Sequence, residues 1–164
     1  MNRATRIYLS PPHMSEEELT RVQQVFDDNW IAPTGPAINE FESAIAQYAG
    51  VKAALAVNSG TSALHLALLL LEVATGDEVL CSTFTFIGSA NPIVYVGARP
   101  IFVDSEPHTW NMSPQFLREA IEDRILKTGR KPAACISVDL YGMPAKLDEI
   151  SSICEEYQIP LIDD

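Results

Sequence analysis

From Val51 onward, short apolar runs alternate with helix-length segments, and this alternation constrains the fold more than any other feature of the chain. Parallel strands need a long crossover, usually a helix, so such spacing predicts βαβ units and a mostly parallel sheet. The strand candidates are Leu55–Asn58, Glu78–Ser82, Pro100–Asp104, Ala134–Asp139 and Pro160–Asp163. Between them the spacing predicts helices over Thr61–Val73, Ile87–Val96, Pro114–Leu126 with Ser113 as N-cap, and Lys146–Gln158. The expected architecture is a three-layer α/β/α domain with helices on both faces of the sheet. The segment Ser62–Leu71 is apolar nearly all round, so the helix it forms is expected to be wedged in an interior. Pro160–Asp163 reads as a buried strand followed by no covering helix, which predicts an edge strand or a chain that is part of a longer one.

Residues 1–50 differ in character. Ser15-Glu16-Glu17-Glu18 fits a capping box, with Leu19, Val22, Val25 and Phe26 at helical spacing behind it, predicting a helix from Ser15 to Asn29. Trp30-Ile31-Ala32-Pro33-Thr34-Gly35-Pro36 breaks that helix and exposes two large apolar side chains among turn residues, as a packed linker or a substrate-lining loop would. A second helix starts at Pro36, uses Ile38, Phe41, Ile45 and Tyr48 as a buried stripe and ends at Gly50. The domain reading is a helical segment with a substrate-side loop over residues 1–50 and a ligand-binding α/β domain over 51–164.

Charge excludes one class of partner. Twenty-two acidic against 11 basic residues leave a net charge of −11, which repels a phosphate backbone, so nucleic acid is not an expected partner. The apolar run Leu66–Leu71 falls far short of the roughly 20 residues a membrane span needs, and Met1–Arg6 leads into no apolar signal core. No membrane partner is expected, and the cytoplasm is the default location. Cys81, Cys135 and Cys154 are odd in number and widely spaced in apolar stretches, so they read as buried small hydrophobes.

Three features carry chemistry. Asn58-Ser59-Gly60-Thr61-Ser62 sets a glycine and three hydroxyls between a strand candidate and a helix start, where backbone N–H groups and the helix dipole favour an anion such as a phosphate. The same residues would serve as an ordinary hydroxyl N-cap, and the chain has neither GxGxxG nor GxxxxGK[ST]. Ser82-Thr83-Phe84-Thr85-Phe86 follows a strand where open α/β folds bind ligands; its aromatics could stack on a flat ring or fill a core. Asp104, Asp139, Asp163 and Asp164 fall at strand ends, where they could bind a metal, pair with a cation or cap helices. His65 reads as a hydrogen-bonded core residue, His13 and His108 form no cluster, and Tyr141-Gly142 reads as a turn. No metal site is expected.

In this order the motifs resemble the DegT/DnrJ/EryC1/StrS family of pyridoxal-phosphate-dependent sugar aminotransferases, of the aspartate aminotransferase fold type. The resemblance runs through Leu9-Ser10-Pro11-Pro12-His13-Met14, Gly35-Pro36 with Phe41-Glu42, and Asn58–Leu64. It continues through Gly76-Asp77-Glu78-Val79, Phe84-Thr85-Phe86, Gly97–Pro100 with Phe102–Asp104, Leu140–Pro144 and Ile162-Asp163-Asp164. It implies that Gly60, Thr61 and Ser62 hold the phosphate of pyridoxal 5'-phosphate (PLP), that Phe86 lies against the pyridine ring with Phe84 its neighbour, and that Asp164 pairs with the pyridine nitrogen. It further implies transfer of an amino group from a donor such as glutamate to a nucleotide-linked keto sugar. The opening segment is most similar to the branch that aminates C4 of UDP-linked 4-keto-6-deoxy sugars for surface polysaccharides. The implied partners are that nucleotide sugar, the amino donor and a second copy of the chain in a homodimer. Trp30, Ile31 and Thr34 are then candidates for touching substrate.

One departure from the family pattern stands out. Lys52, Lys127, Lys131 and Lys146 do not occupy the context of the family's catalytic lysine, so the resemblance covers an N-terminal portion that would not transaminate by itself. Two alternatives remain open at this level. One is a dehydratase of the same family, in which histidine replaces the lysine; the other is a non-catalytic α/β ligand-binding module.

Overall fold

The computed structural model describes residues 6–164, and the chain separates after Ala56 into two units, the second being Val57–Asp164. The first unit holds α1 (Glu18–Asp27) and α2 (Pro36–Ala49). The capping box forms ahead of α1 rather than on it. Glu18 Oε1 accepts the Ser15 N–H at 2.8 Å, while the Ser15 hydroxyl accepts from the Glu17 N–H at 3.3 Å, so helical geometry starts three residues later than expected. α2 begins on Pro36 and stops at Gly50 with φ 66°, as read from the sequence. Its stripe, however, is not buried: Phe41, Ile45 and Tyr48 are exposed, and neither helix contains a buried residue. Two short helices enclose too little volume to take both apolar stripes inside.

In the second unit the apolar runs pair into one parallel sheet. α3 (Gly60–Leu70) is followed by β1 (Glu78–Ser82), α4 (Ile87–Tyr95), β2 (Arg99–Val103), α5 (Pro114–Thr128), β3 (Ala134–Ser137), a 3₁₀ turn at Leu140–Gly142, α6 (Leu147–Glu156) and β4 (Leu161–Asp163). The strand order is β2-β1-β3-β4, so β4 lies at an edge of these four strands. Register sets Leu80 against Ile101 on one side and Cys135 on the other, and Ile136 against Ile162. Successive side chains alternate between faces. Val79, Cys81 and Ile136 therefore pack with Leu64, Leu68 and Ile93 of α3 and α4, whereas Leu80 and Cys135 pack with Leu117, Ile121 and Ile150 of α5 and α6. A sheet covered on both faces explains why its strands read as unbroken apolar runs.

Two expectations are corrected here. Leu55–Asn58 forms no strand among the described residues. A strand needs a partner for its backbone, and the Ala56 N–H is taken instead by Glu42 Oε1 at 2.8 Å. The apolar helix α3 is buried along one stripe only, with Leu64 and Leu68 inside but Leu69 and Leu70 exposed, because it has the sheet and α4 on one side alone. His65 likewise sits half-buried, edge-on to Tyr95 with ring centroids 5.7 Å apart.

All three cysteines are free and buried, as expected. Burial pushes the Cys81 thiol up to about 12, with the charge of Asp164 adding to it, so Cys81 is no nucleophile at neutral pH. At the amino ends of the strands, Glu78 pairs with Arg99 and Arg124 and closes that end by charge. Among the described residues no helix is long and apolar enough to cross a membrane.

Candidate functional site

The carboxyl ends of parallel strands are where open α/β sheets bind ligands. Here the first turn of α3, the turn between β1 and α4, and Asp164 just past β4 all approach the start of α4. α3 starts where Ser59, in extended backbone, accepts the Ser62 N–H at 3.2 Å. The Ser62 hydroxyl donates to Asn58 Oδ1 at 2.7 Å, which leaves the Ser59 proton for Ser62 Oγ at 3.0 Å. The capping reading is thus realised by Ser59, and both serine hydroxyls are engaged in the cap. Among the described residues the N–H groups of Gly60 and Thr61 meet no acceptor from the chain. Those two donors, at the positive end of the α3 dipole, are suited to an anion.

Gly88 joins this turn to the next one. A Cβ at Gly88 would lie 3.0 Å from Thr61 Oγ1 and 3.0 Å from Phe86 Cδ1, closer than side chains normally approach. Only glycine therefore lets α4 begin against the first turn of α3 with the Phe86 ring beside it. Phe86 is 81 % exposed and Phe84 41 %, so the core alternative for both phenylalanines is overturned. Their turn lies past the end of β1, outside both apolar clusters of the sheet.

Asp164 faces the same helix. Ser89, buried in the first turn of α4, donates its hydroxyl to Asp164 Oδ2. Because that hydroxyl has one proton, the 2.8 Å contact between Thr85 Oγ1 and Ser89 Oγ is a donation from Thr85. A cavity of about 320 Å³ opens at this point, lined by Phe84, Phe86, Ser89, Leu140, Tyr141 and Asp164. That is the lower end of the size range of small-molecule sites, roughly 300–1,000 Å³. Burial raises the Asp163 carboxyl above its ordinary value, and the charges of Asp139 and Asp164 add to the effect.

The other strand-end acids have local duties. Asp139 Oδ1 accepts the Ala145 N–H at 2.7 Å, and Asp104 Oδ1 accepts the Ser105 N–H at 2.8 Å. No group of three potential metal ligands occurs among the described residues. Trp30, Ile31 and Thr34 belong to the first unit. Trp30 Nε1 donates to the Thr34 carbonyl at 2.7 Å, and its indole lies against Gly35, whose φ of 147° and lack of a Cβ make room for it. Ile31 stays exposed on this closed loop.

Sequence reasoning missed Ser89 and Gly88. The i, i+4 spacing of Thr85 and Ser89 across a helix start was the available signal, because such a pair faces one side of the first turn. What that side faces could not be read, since the partner of Ser89 lies 75 residues away.

Comparison with known proteins bears on this geometry. Residues 12–164 match the model of the DegT/DnrJ/EryC1/StrS aminotransferase family. EpsN of Bacillus subtilis, which bears the name of a pyridoxal phosphate-dependent aminotransferase, is 55 % identical over 159 residues, 97 % of this chain and 41 % of its own. GDP-perosamine synthase of Caulobacter vibrioides is 37 % identical over 164 residues, covering 100 % of this chain and 42 % of its own. The chain thus spans about two fifths of the length of these curated relatives. Among solved structures, a DegT DnrJ EryC1 StrS aminotransferase from Brucella abortus superposes with a TM-score of 0.84 at 33 % identity, over 89 % of this chain and 39 % of its own. A protein of Streptococcus pneumoniae named as a sugar aminotransferase, solved in its PLP form, does so with 0.81 at 32 % identity, over 96 % and 38 %. With sequence and fold agreeing over nearly all of its length, the chain belongs to the DegT/DnrJ/EryC1/StrS aminotransferase family.

Proposed function

We propose that this chain forms the cofactor side of a PLP-dependent enzyme that moves an amino group from a donor such as glutamate to a nucleotide-linked keto sugar, with a UDP-linked 4-keto-6-deoxy sugar as the acceptor. The observation that carries the reading is the juxtaposition at the start of α4: free N–H donors on one side, an exposed aromatic ring in the middle and a carboxylate on the other. These residues fit PLP. The Gly60 and Thr61 N–H groups would hold its phosphate, with Ser62 shaping the turn; Phe86 would lie against the ring; Asp164 would face the ring nitrogen. The space that a Cβ on Gly88 would fill supports this fit, because it keeps Phe86 close to the α3 turn.

When bound, PLP supplies an electron sink, and it works best with its ring nitrogen protonated. The carboxylate of Asp164 favours that proton by charge, and the Ser89 hydroxyl holds one of its oxygens so that the other is left for the ring. Among the described residues no lysine lines the cavity. Lys127 pairs with Asp123 and Lys131 bonds the Tyr157 and Gln158 carbonyls. The covalent attachment point is therefore assigned to another part of the full-length protein, and a second subunit would complete the substrate side.

The full-length protein mixed with PLP is expected to gain a visible absorption band that shifts when glutamate is added. A protein that stays colourless with PLP overturns the reading. Within that assay Ser89→Ala is expected to weaken PLP binding about tenfold, the loss of one hydrogen bond to a charged group. Ser89→Thr, which keeps the hydroxyl, is expected to retain most of the affinity in the same titration.

A further inference from the structure

Phe84 is a wall shared by two spaces. Beyond it from the Asp164 cavity lies a second cleft of about 510 Å³, bounded by Trp110 and Tyr141, with His108 and Thr109 along its side. The Trp110 ring lies 5.9 Å from Phe84 at 61°, and the Tyr141 ring 6.4 Å from it at 84°, so three aromatic rings meet edge to face. Both outer residues hold left-handed backbone, with φ 67° at Trp110 and 52° at Tyr141. Such strain persists in bulky residues only where the surroundings over-determine it, and it concentrates at functional sites.

Two buried polar side chains do the over-determining. The Glu106 carboxylate accepts the N–H groups of His108 and Thr109 and the Thr109 hydroxyl, which folds the loop before Trp110. The Thr109 hydroxyl above all, then the two N–H groups, hold the Glu106 carboxyl down to about 2, against the opposing effect of burial. Asn111 donates Nδ2 to the Met143 carbonyl at 2.7 Å and accepts the Leu140 N–H at 2.9 Å, so one side chain ties the Trp110 loop to the turn that carries Tyr141. Despite this bracing, Trp110 and Tyr141 remain 60 % and 73 % exposed. The buried contacts hold the two aromatic rings outside both apolar clusters of the chain rather than packing them into either. Among the described residues no carboxylate lines the cleft itself, and the Glu106 charge behind its wall is taken up by three hydrogen bonds.

We propose that the Phe84–Trp110–Tyr141 cleft binds the nucleotide of the sugar acceptor, with the base stacked on the exposed aromatic faces. The proposal rests on the transaminase reading and specifies where the non-reacting part of its acceptor goes. The PLP ring belongs in the cavity beside Phe86 and Asp164, and the adjoining cleft across Phe84 takes the part of the acceptor that extends away from the ring. Aromatic stacking accepts any base, because every base has a π face. The cleft therefore provides affinity for the nucleotide without selecting its identity.

The test is calorimetric titration of UDP and of GDP into the full-length protein, alongside the absorbance response to glutamate. Trp110→Ala is expected to weaken nucleoside diphosphate binding about tenfold, Trp110→Phe to stay within about threefold, and Tyr141→Ala to fall between them, as loss of one stacking face implies. The glutamate response should be unchanged in both Trp110 variants, because Trp110 does not line the Asp164 cavity. Because both side chains are exposed, their truncation leaves both apolar clusters intact, which circular dichroism checks. Equal nucleotide affinity in wild type and Trp110→Ala overturns the proposal, as does a wild type that binds neither nucleotide. A raised KM for the keto sugar with unchanged nucleotide affinity also overturns it, since the cleft would then hold the hexose. A wild type without a glutamate response, whose UDP binding still depends on Trp110, sinks the transaminase reading and leaves the nucleotide site standing.

Discussion

Asp164→Asn in the full-length protein is expected to lower kcat for amino transfer by about 10²–10³-fold, the range for removing one preorganised electrostatic partner from an active site. Asparagine keeps the size of the side chain and an oxygen for the Ser89 hydroxyl, so the geometry at the start of α4 survives. What goes is the negative charge that, in the proposed reading, would keep the ring nitrogen protonated. An interaction needed chiefly in the transition state lowers kcat and kcat/KM together, and steady-state kinetics with both substrates should show that pattern. Asp164 is exposed at the end of β4, outside both apolar clusters, so the unfolding midpoint should hardly move. A variant that keeps activity within about tenfold of wild type would mean that this carboxylate does not serve the ring nitrogen.

The largest loss of stability is expected at Leu80. It is fully buried in β1, flanked in the sheet by Ile101 and Cys135 and packed under Met112, Leu117, Ile121 and Ile150. Leu80→Ala leaves a cavity that helices on one side and neighbouring strands on the other cannot close, at a cost of about 2–5 kcal/mol. Urea unfolding should read this as a lower midpoint with an unchanged slope. Leu70→Ala, on the exposed side of α3, should change stability by no more than about 0.5 kcal/mol despite the same change in side chain. Because β1 leads directly into the Thr83–Phe86 turn, loss of PLP affinity should accompany the loss of stability in Leu80→Ala. Equal effects at Leu80 and Leu70 would contradict the two-faced packing of the sheet.

Much of the site's outline was legible because its signals are local. The hydroxyl and glycine run Ser59–Ser62 marks a helix start by the chemistry of its own first turn, and Ser59 caps α3 accordingly. Strands β1 to β4 overlap the predicted apolar runs, with ends shifted by up to two residues and β2 starting one residue early at Arg99. Helix-length spacing between the runs pointed to parallel pairing, since parallel strands need a crossover of that length. The errors share a different origin. Leu55–Asn58 has strand composition, and the Ser62–Leu71 run has the composition of a fully buried helix. Composition does not supply the partner strand or the second covering layer on which those outcomes depend.

The same division runs through the functional residues. The alternation of segments, the α3 cap, the acids at strand ends and the family motifs were determined by the sequence alone, because each is written within a few neighbouring positions. Tertiary structure decided that Ser89 meets Asp164 across 75 residues, that Gly88 seats Phe86 beside Thr61, and that Asn111 braces Trp110 and Tyr141 around Phe84. Those contacts join segments that the parallel crossovers carry to one end of the sheet, and contacts between segments far apart in sequence leave no periodic trace in the residues that make them.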